Sequence, residues 1–239
     1  MKRALVLGGT NKESLGRKLA LALLADGISP ILVGRSAMKV SHDLELEGAE
    51  FIPADLVDLN VGEQVLGALG DCANVDLVIV AGGIFDSGPL VQCSPVKIDQ
   101  LWRTNVMGPE LVVRSFLAEK RGAYQLVTVA STSATKPRAD EPIYAATQAA
   151  RRHFALSFHG QMLGLDSGSK SLVICPGGMC TNMYQGTTMS TERFMDPSVV
   201  AMHIMAVAHQ QQAGSCAELR IERNPDGTAN VLPIVNHSV

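Results

Sequence analysis

No apolar run in this 239-residue chain exceeds seven residues, and Leu77–Ala81 is typical of the set. A membrane-spanning helix needs roughly 18 in a row, so none is expected. Positive charge is scarce as well. Twenty Lys and Arg against 23 Asp and Glu leave a net charge of −3, which offers nucleic acid no basic face. The five cysteines (72, 93, 175, 180 and 216) form no Cys-x-x-Cys pair, and His-Glu-x-x-His is absent. No His or Cys pair stands at zinc-ligand spacing, so neither a disulfide framework nor a metal site is expected. Met1-Lys2-Arg3 precedes only four apolar residues before Gly8, too few for a signal peptide. What is present is a composition of 46% hydrophobic and 18% charged residues, sufficient for a large core and too apolar for disorder. The expectation is a soluble, reduced, cytoplasmic protein. No linker, repeat or low-complexity tract divides it, so residues 1–239 read as a single domain.

Short apolar runs alternate with longer amphipathic stretches. The runs are Ala4–Leu7, Ile31–Val33, Phe51–Ile52, Leu77–Ala81, Leu126–Ala130 and Leu172–Cys175. Each is almost continuously apolar, as strands of a parallel sheet covered on both faces should be. Between them, Glu13–Ala25 places Leu15, Leu19, Ala22 and Leu23 on one helical stripe, with Gly27 as a stop. A last run, Glu218–Glu222, alternates and reads as an edge strand with one wet face. The order predicts an α/β, doubly wound parallel sheet of about seven strands, Rossmann-type, with ligands at the carboxyl ends of the strands.

The turn after the first strand is Gly8-Gly9-Thr10-Asn11-Lys12-Glu13-Ser14-Leu15-Gly16, and it opens a helix. Glycines let the backbone approach a pyrophosphate, and the helix start offers unpaired N–H groups. Gly8, Gly9, Asn11, Lys12, Ser14 and Leu15 are therefore candidate cofactor contacts. After the second strand, Gly34-Arg35-Ser36 stands where an NAD site would carry a carboxylate for the ribose hydroxyl. A guanidinium forks onto a 2′-phosphate, a serine adds a donor and Lys12 could approach the same group, so NADP(H) is preferred over NAD(H).

Four further segments carry a resemblance. Ser131 ends Leu126–Ser131, and Tyr144 follows 13 residues later in Tyr144–Ala150. Pro176-Gly177-Gly178-Met179-Cys180-Thr181 follows the sixth strand, and Asn105–Gly108 lies on the helix after the fourth. Together these resemble the short-chain dehydrogenase/reductase family over essentially the whole chain. The resemblance implies that Tyr144 gives or takes the proton as a carbonyl and an alcohol interconvert by hydride transfer. Ser131 would hold the substrate oxygen, and Asn105 would support a water and proton path. Pro176, Gly177 and Thr181 would hold the nicotinamide end, Asp55 and Leu56 would meet adenine, and Ala81, Gly82 and Gly83 would leave room for the adenosine ribose. A small-molecule carbonyl or alcohol is the implied substrate, and pairing of the Asn105 and Tyr144 helices between subunits implies a homodimer or homotetramer.

The chain departs from the family in three places. The span from Gly9 to Gly16 is one residue longer, with Ser14 where the middle glycine belongs; that serine can still donate to a phosphate. Val80 and Ala81 replace two asparagines that brace the central strands. Gln148 replaces the lysine of Tyr-x-x-x-Lys. Gln148 can bind the ribose hydroxyls but brings no charge, whereas a cation ~5 Å away at an effective dielectric of ~20 is worth roughly 3 kcal/mol, about a hundredfold in acidity. An unassisted Tyr144 is a poor base at neutral pH and still an acid for carbonyl reduction.

Arg151 lies two helical turns after Tyr144. Its side chain leans back along the helix, so its guanidinium could reach toward Gln148 as a substitute cation; alternatively Arg151-Arg152 is a solvated or subunit-interface pair. The segment near 183–196, with Met183, Tyr184, Met189, Phe194 and Met195, has the position of a substrate loop, either an adaptable apolar pocket or a mobile loop with incidental packing. Cys180 has no supporting His and reads as inert. His153 and His159 read as surface or interface residues, and Trp102 and Phe116 as packing residues. The alternative to an enzyme is a non-catalytic NADP(H)-binding protein with a structural or regulatory role.

Overall fold

The computed structural model describes residues 2–35, 44–187 and 189–238. Among the described residues, nine strands form one sheet: β1 Arg3–Leu7, β2 Ser29–Gly34, β3 Glu50–Pro53, β4 Val75–Val80, β5 Gln125–Val129, β6 Lys170–Pro176, β7 Cys216–Arg223, β8 Ala229–Val231 and β9 Val235–His237. The helices are α1 Leu15–Ala25, α2 Val61–Leu69, α3 Pro95–Trp102, α4 Gly108–Glu119, α5 Pro142–Leu165 and α6 Pro197–Gln210. The strand order is β3-β2-β1-β4-β5-β6-β7-β8, and β9 also pairs with β7. β1 through β7 are parallel to their neighbours, whereas β8 and β9 run antiparallel to β7.

Alternate residues of each strand enter opposite cores, as the period of two requires. Val6, Leu32, Ile79 and Leu172 pack under α1 and α6, against Leu19, Leu23, Val200 and Ile204. Leu5, Ile31, Val78 and Leu126 pack on the other face against Val65 of α2, Phe116 of α4 and Met162 of α5. The near-continuous apolar runs follow from this two-sided burial. Gly27 lies just beyond α1 with φ +72°, the left-handed conformation expected of a helix stop.

One expectation needs correction. The seven parallel strands are joined by the short β8 and β9. β7 is consequently no edge strand: Glu218 is buried, taking hydrogen bonds from Arg152 (3.0 Å) and Arg220 (2.8 Å). Of the polar members of its alternating pattern, Arg220 pairs with the buried Glu218, and Glu222 pairs with Lys136.

The winding reverses between β2-β1 and β4-β5, and this places the carboxyl ends of β1 and β4 side by side. Among the described residues, no helix is long and apolar enough to cross a membrane.

Candidate active site

Backbone approaches backbone at this switch point. Ala81 and Gly82 both donate to the Leu7 carbonyl (3.0 and 2.6 Å), and Gly8 donates to Val33 (2.9 Å). A Cβ on Gly8, whose φ is +94°, would stand 2.7 Å from the Gly82 Cα. Only glycine therefore closes this floor. Above it lies a cleft of about 520 Å³. Gly8, Gly9, Asn11, Ser14 and Leu15 form one stretch of its wall, Arg35, Asp55 and Leu56 another, and Ala81, Gly82 and Gly83 its base. A backbone-lined trough at a helix start, with one cation at its far end, fits an anionic dinucleotide.

Not every expected contact is placed there. Lys12 is exposed on the turn and does not line the cleft, and Ser36 lies outside the described residues. The Ser14 hydroxyl donates to the Asn11 carbonyl (2.7 Å) and accepts from Arg17 N (3.2 Å). It caps α1 with its oxygen, and its proton is directed to the Asn11 carbonyl while the residue lines the cleft.

The opposite wall is made of side chains. Ser131 follows β5, and its hydroxyl accepts from Ser133 N (3.1 Å). Tyr144, on the first turns of α5, is buried edge-on against Phe85, with ring centroids 4.9 Å apart. Burial pushes its phenol up to about 12, opposed by a hydrogen bond with Ser131 and the charge of Arg151 and reinforced by Glu141. Tyr144 is thus protonated throughout the neutral range. Gln148, one turn further, is buried and lines the same cleft, as do Gly177 and Thr181 beyond β6; Pro176 ends that strand without reaching the cleft.

Asn105 is fully buried in a π-helical turn, Arg103–Met107, between α3 and α4. Its amide donates to the Ile84 carbonyl (2.9 Å) and Thr147 (3.1 Å) and accepts from Ile84 N (2.8 Å), which fixes the loop after β4. Its own carbonyl accepts from Arg151 Nε (2.7 Å). The Arg151-Arg152 pair is not a pair of solvated cations, and Arg151 does not extend to Gln148. Arg151 is buried and donates to backbone carbonyls instead of reaching Gln148, and Arg152 pairs with Glu218.

Other side chains also move from their expected places. His159 is buried beside the Gly214 carbonyl (3.3 Å), while His153 is exposed; Trp102 is partly exposed, and only Phe116 packs fully. In the segment near 183–196, Met183 and Tyr184 line the cleft. Met195 is core and bridges to Met179, and Phe194 lies under the Arg223 guanidinium (4.8 Å). The segment is pinned at its end, and Met189 is exposed. Sequence reasoning missed Lys97, Gln100 and Thr104, which line the cleft from α3 and the turn after it. Their spacing of three and four residues puts them on one helix face, a legible polar stripe.

A model of the short chain dehydrogenase family matches residues 2–191. The chain belongs to this family. Among curated relatives, it is 28% identical over 209 residues to 1-deoxy-11-beta-hydroxypentalenate dehydrogenase of Streptomyces exfoliatus, covering 84% of this chain and 75% of that one. A short chain dehydrogenase of Pseudocercospora fijiensis is 27% identical over 191 residues; these are 74% of this chain and 60% of that protein, so the match spans under two thirds of the relative. Among solved structures, a variant of actinorhodin polyketide ketoreductase with NADPH superposes with a TM-score of 0.77 at 20% identity, covering 95% and 97% of the two chains. That likeness is one of fold. In this member of the family, the tyrosine and serine meet in the cleft, and Gln148 lines it one helical turn beyond Tyr144.

Proposed function

We propose that the protein is an NADP(H)-dependent oxidoreductase that interconverts a carbonyl and an alcohol on a small molecule. The observation that carries this reading is the convergence of Ser131 and Tyr144 on one cleft with a glycine-floored dinucleotide trough. Bound NADPH would supply a hydride. The backbone of Gly8, Gly9 and Asn11 would hold the pyrophosphate and Arg35 the 2′-phosphate, with Asp55 at the adenine end. Gln148 and Thr181 would orient the nicotinamide end. Ser131 would donate to the substrate oxygen, a fixed dipole where negative charge develops. Tyr144, protonated at neutral pH, would deliver its proton to that oxygen. This bias toward the acid form favours reduction over alcohol oxidation.

The test is NADPH and NADH binding by fluorescence, followed by NADPH consumption against a panel of ketones and aldehydes. NADPH binding at least tenfold tighter than NADH, with turnover of one panel member that Tyr144→Phe abolishes, is expected. Failure to bind either dinucleotide overturns the reading. A second reading, a non-catalytic NADP(H)-binding protein, rests on Gln148 standing in place of a cation. NADPH binding with no turnover, and a large gain of activity in Gln148→Lys, would favour it.

A further inference from the structure

The guanidinium of Arg151 is buried, yet among the described residues no carboxylate pairs with it. Its hydrogen bonds go to three backbone carbonyls from three different elements: Asn105 (2.7 Å), Val129 at the end of β5 (3.0 Å) and Gly82 just past β4 (2.8 Å). The first of these has a local cause. Four residues after Asn105 stands Pro109, which has no N–H to offer an α-helical carbonyl, and the π-turn falls at the same place. The second and third tie together the strand ends where Val80 and Ala81 stand in place of side chains that could form hydrogen bonds. A Cβ at Gly83 would lie 3.7 Å from both terminal nitrogens of Arg151, so the cation sits directly beneath the cleft floor.

We propose that Arg151 is a positioning residue of this site: it clamps the ends of β4 and β5 to the bend at Asn105, and its fixed charge eases proton transfer at Tyr144, which Gln148 cannot do. The inference rests on the proposed carbonyl chemistry for its use, but its geometry does not. Burial pulls the guanidinium below its ordinary value, but a guanidinium held by three carbonyl acceptors keeps its proton, and its charge opposes the burial that raises Tyr144. The other ionisable groups in play are few. Glu141, at the start of α5, works against ionisation of Tyr144, and Tyr184 faces the same phenol. Glu110 of α4 faces Arg151 and is itself raised by burial, with Arg151 opposing.

The test reads the proton on Tyr144 without turnover. Tyr124→Phe and Tyr184→Phe leave Tyr144 as the sole tyrosine of three. The first change removes a buried hydroxyl that has no partner, and the second keeps the ring against Phe85. A ring-fluorinated tyrosine in this background, more acidic than tyrosine, brings the titration into the range where the fold holds, and fluorine NMR follows it. Arg151→Gln is expected to raise the midpoint by about one pH unit or more, and Arg151→Lys to leave it near the parent value. NADPH binding in each variant reports that the cleft persists. An unchanged midpoint in Arg151→Gln, or an equal rise in Arg151→Lys, overturns the proposal. Should Arg151→Gln not fold, Arg151→Lys decides alone: it keeps the charge and weakens the clamp, so a midpoint displaced by a unit overturns the proposal and an unmoved one supports it. Because no substrate is consumed, the answer stands whether or not a carbonyl is ever found to be reduced.

Discussion

The wall of the cleft from β1, β2 and β4 presents mostly backbone, with Gly8, Gly9, Gly82 and Gly83 exposing peptide groups. The wall from β5, α5 and the turn after β6 presents side chains: Ser131, Tyr144, Gln148 and Thr181. A backbone wall is specific for shape and for a string of acceptors, and it fails by collision. A side-chain wall is specific for one reacting atom, and it fails by losing a proton or a charge. Arg151 belongs to the second wall but holds the carbonyls of Gly82 and Val129, and so joins the two.

The sharpest break between the walls is Tyr144→Phe. The ring, its edge contact with Phe85 and the cleft are kept, and only the proton is lost. Turnover of the carbonyl substrate is expected to fall ~10³-fold, about 4 kcal/mol, with NADPH affinity within about twofold of the parent. Steady-state kinetics beside a fluorescence titration checks both halves. The converse variant is Gly8→Ala. A methyl at φ +94° and 2.7 Å from the Gly82 Cα should cost about 2–3 kcal/mol of stability and weaken dinucleotide binding with it. Thermal unfolding with and without NADPH measures this. If Gly8→Ala held its melting temperature and its affinity, the floor would be looser than described and the contrast between the walls would fail.

Much of this contrast was legible in the residues. Gly8 and Gly9 announce a close turn by their type alone, and the 13-residue spacing from Ser131 to Tyr144 delivers both groups to one cleft because a strand end and the start of α5 meet there. What stayed hidden was the destination of side chains whose partners lie far along the chain. Ser14 has the residue type of a phosphate donor and equally that of a helix cap, and the structure shows its oxygen capping α1 at Arg17 N. Glu218 alternates like a wet-faced strand, but Arg152 and the added β8 and β9 enclose it. Arg151 reads as a surface cation because nothing local shows three carbonyls waiting for it. Pro109 was the available clue, since a proline inside a helix frees the carbonyl four residues before it.

Arg35 tests the backbone wall at its cationic point. It lines the cleft just beyond β2, on the same stretch of wall as Asp55. Arg35→Ala is expected to weaken NADPH by about thirtyfold, roughly 2 kcal/mol for a charge-assisted contact, and to leave NADH almost unchanged. Equal losses for both dinucleotides would mean that the guanidinium supports the fold of the wall and does not read the phosphate.

The gentlest probe leaves the sequence intact and varies only pH. Tyr144 is held up near 12, chiefly by burial, so its acid form fills the neutral range and its base form is rare. Below that value the acid fraction is almost constant. Reduction, which consumes the acid form, should therefore be flat to within about twofold from about pH 6 to about pH 9. Oxidation of the alcohol needs the phenolate, whose fraction rises about tenfold, or 1.4 kcal/mol, for each pH unit over the same interval. The two directions measured on one substrate pair should diverge with slopes near zero and near one. A reductive rate that fell steeply between about pH 7 and about pH 9 would place the phenol near neutrality instead. The charge of Arg151 would then outweigh burial, and the side-chain wall would act as base as readily as acid.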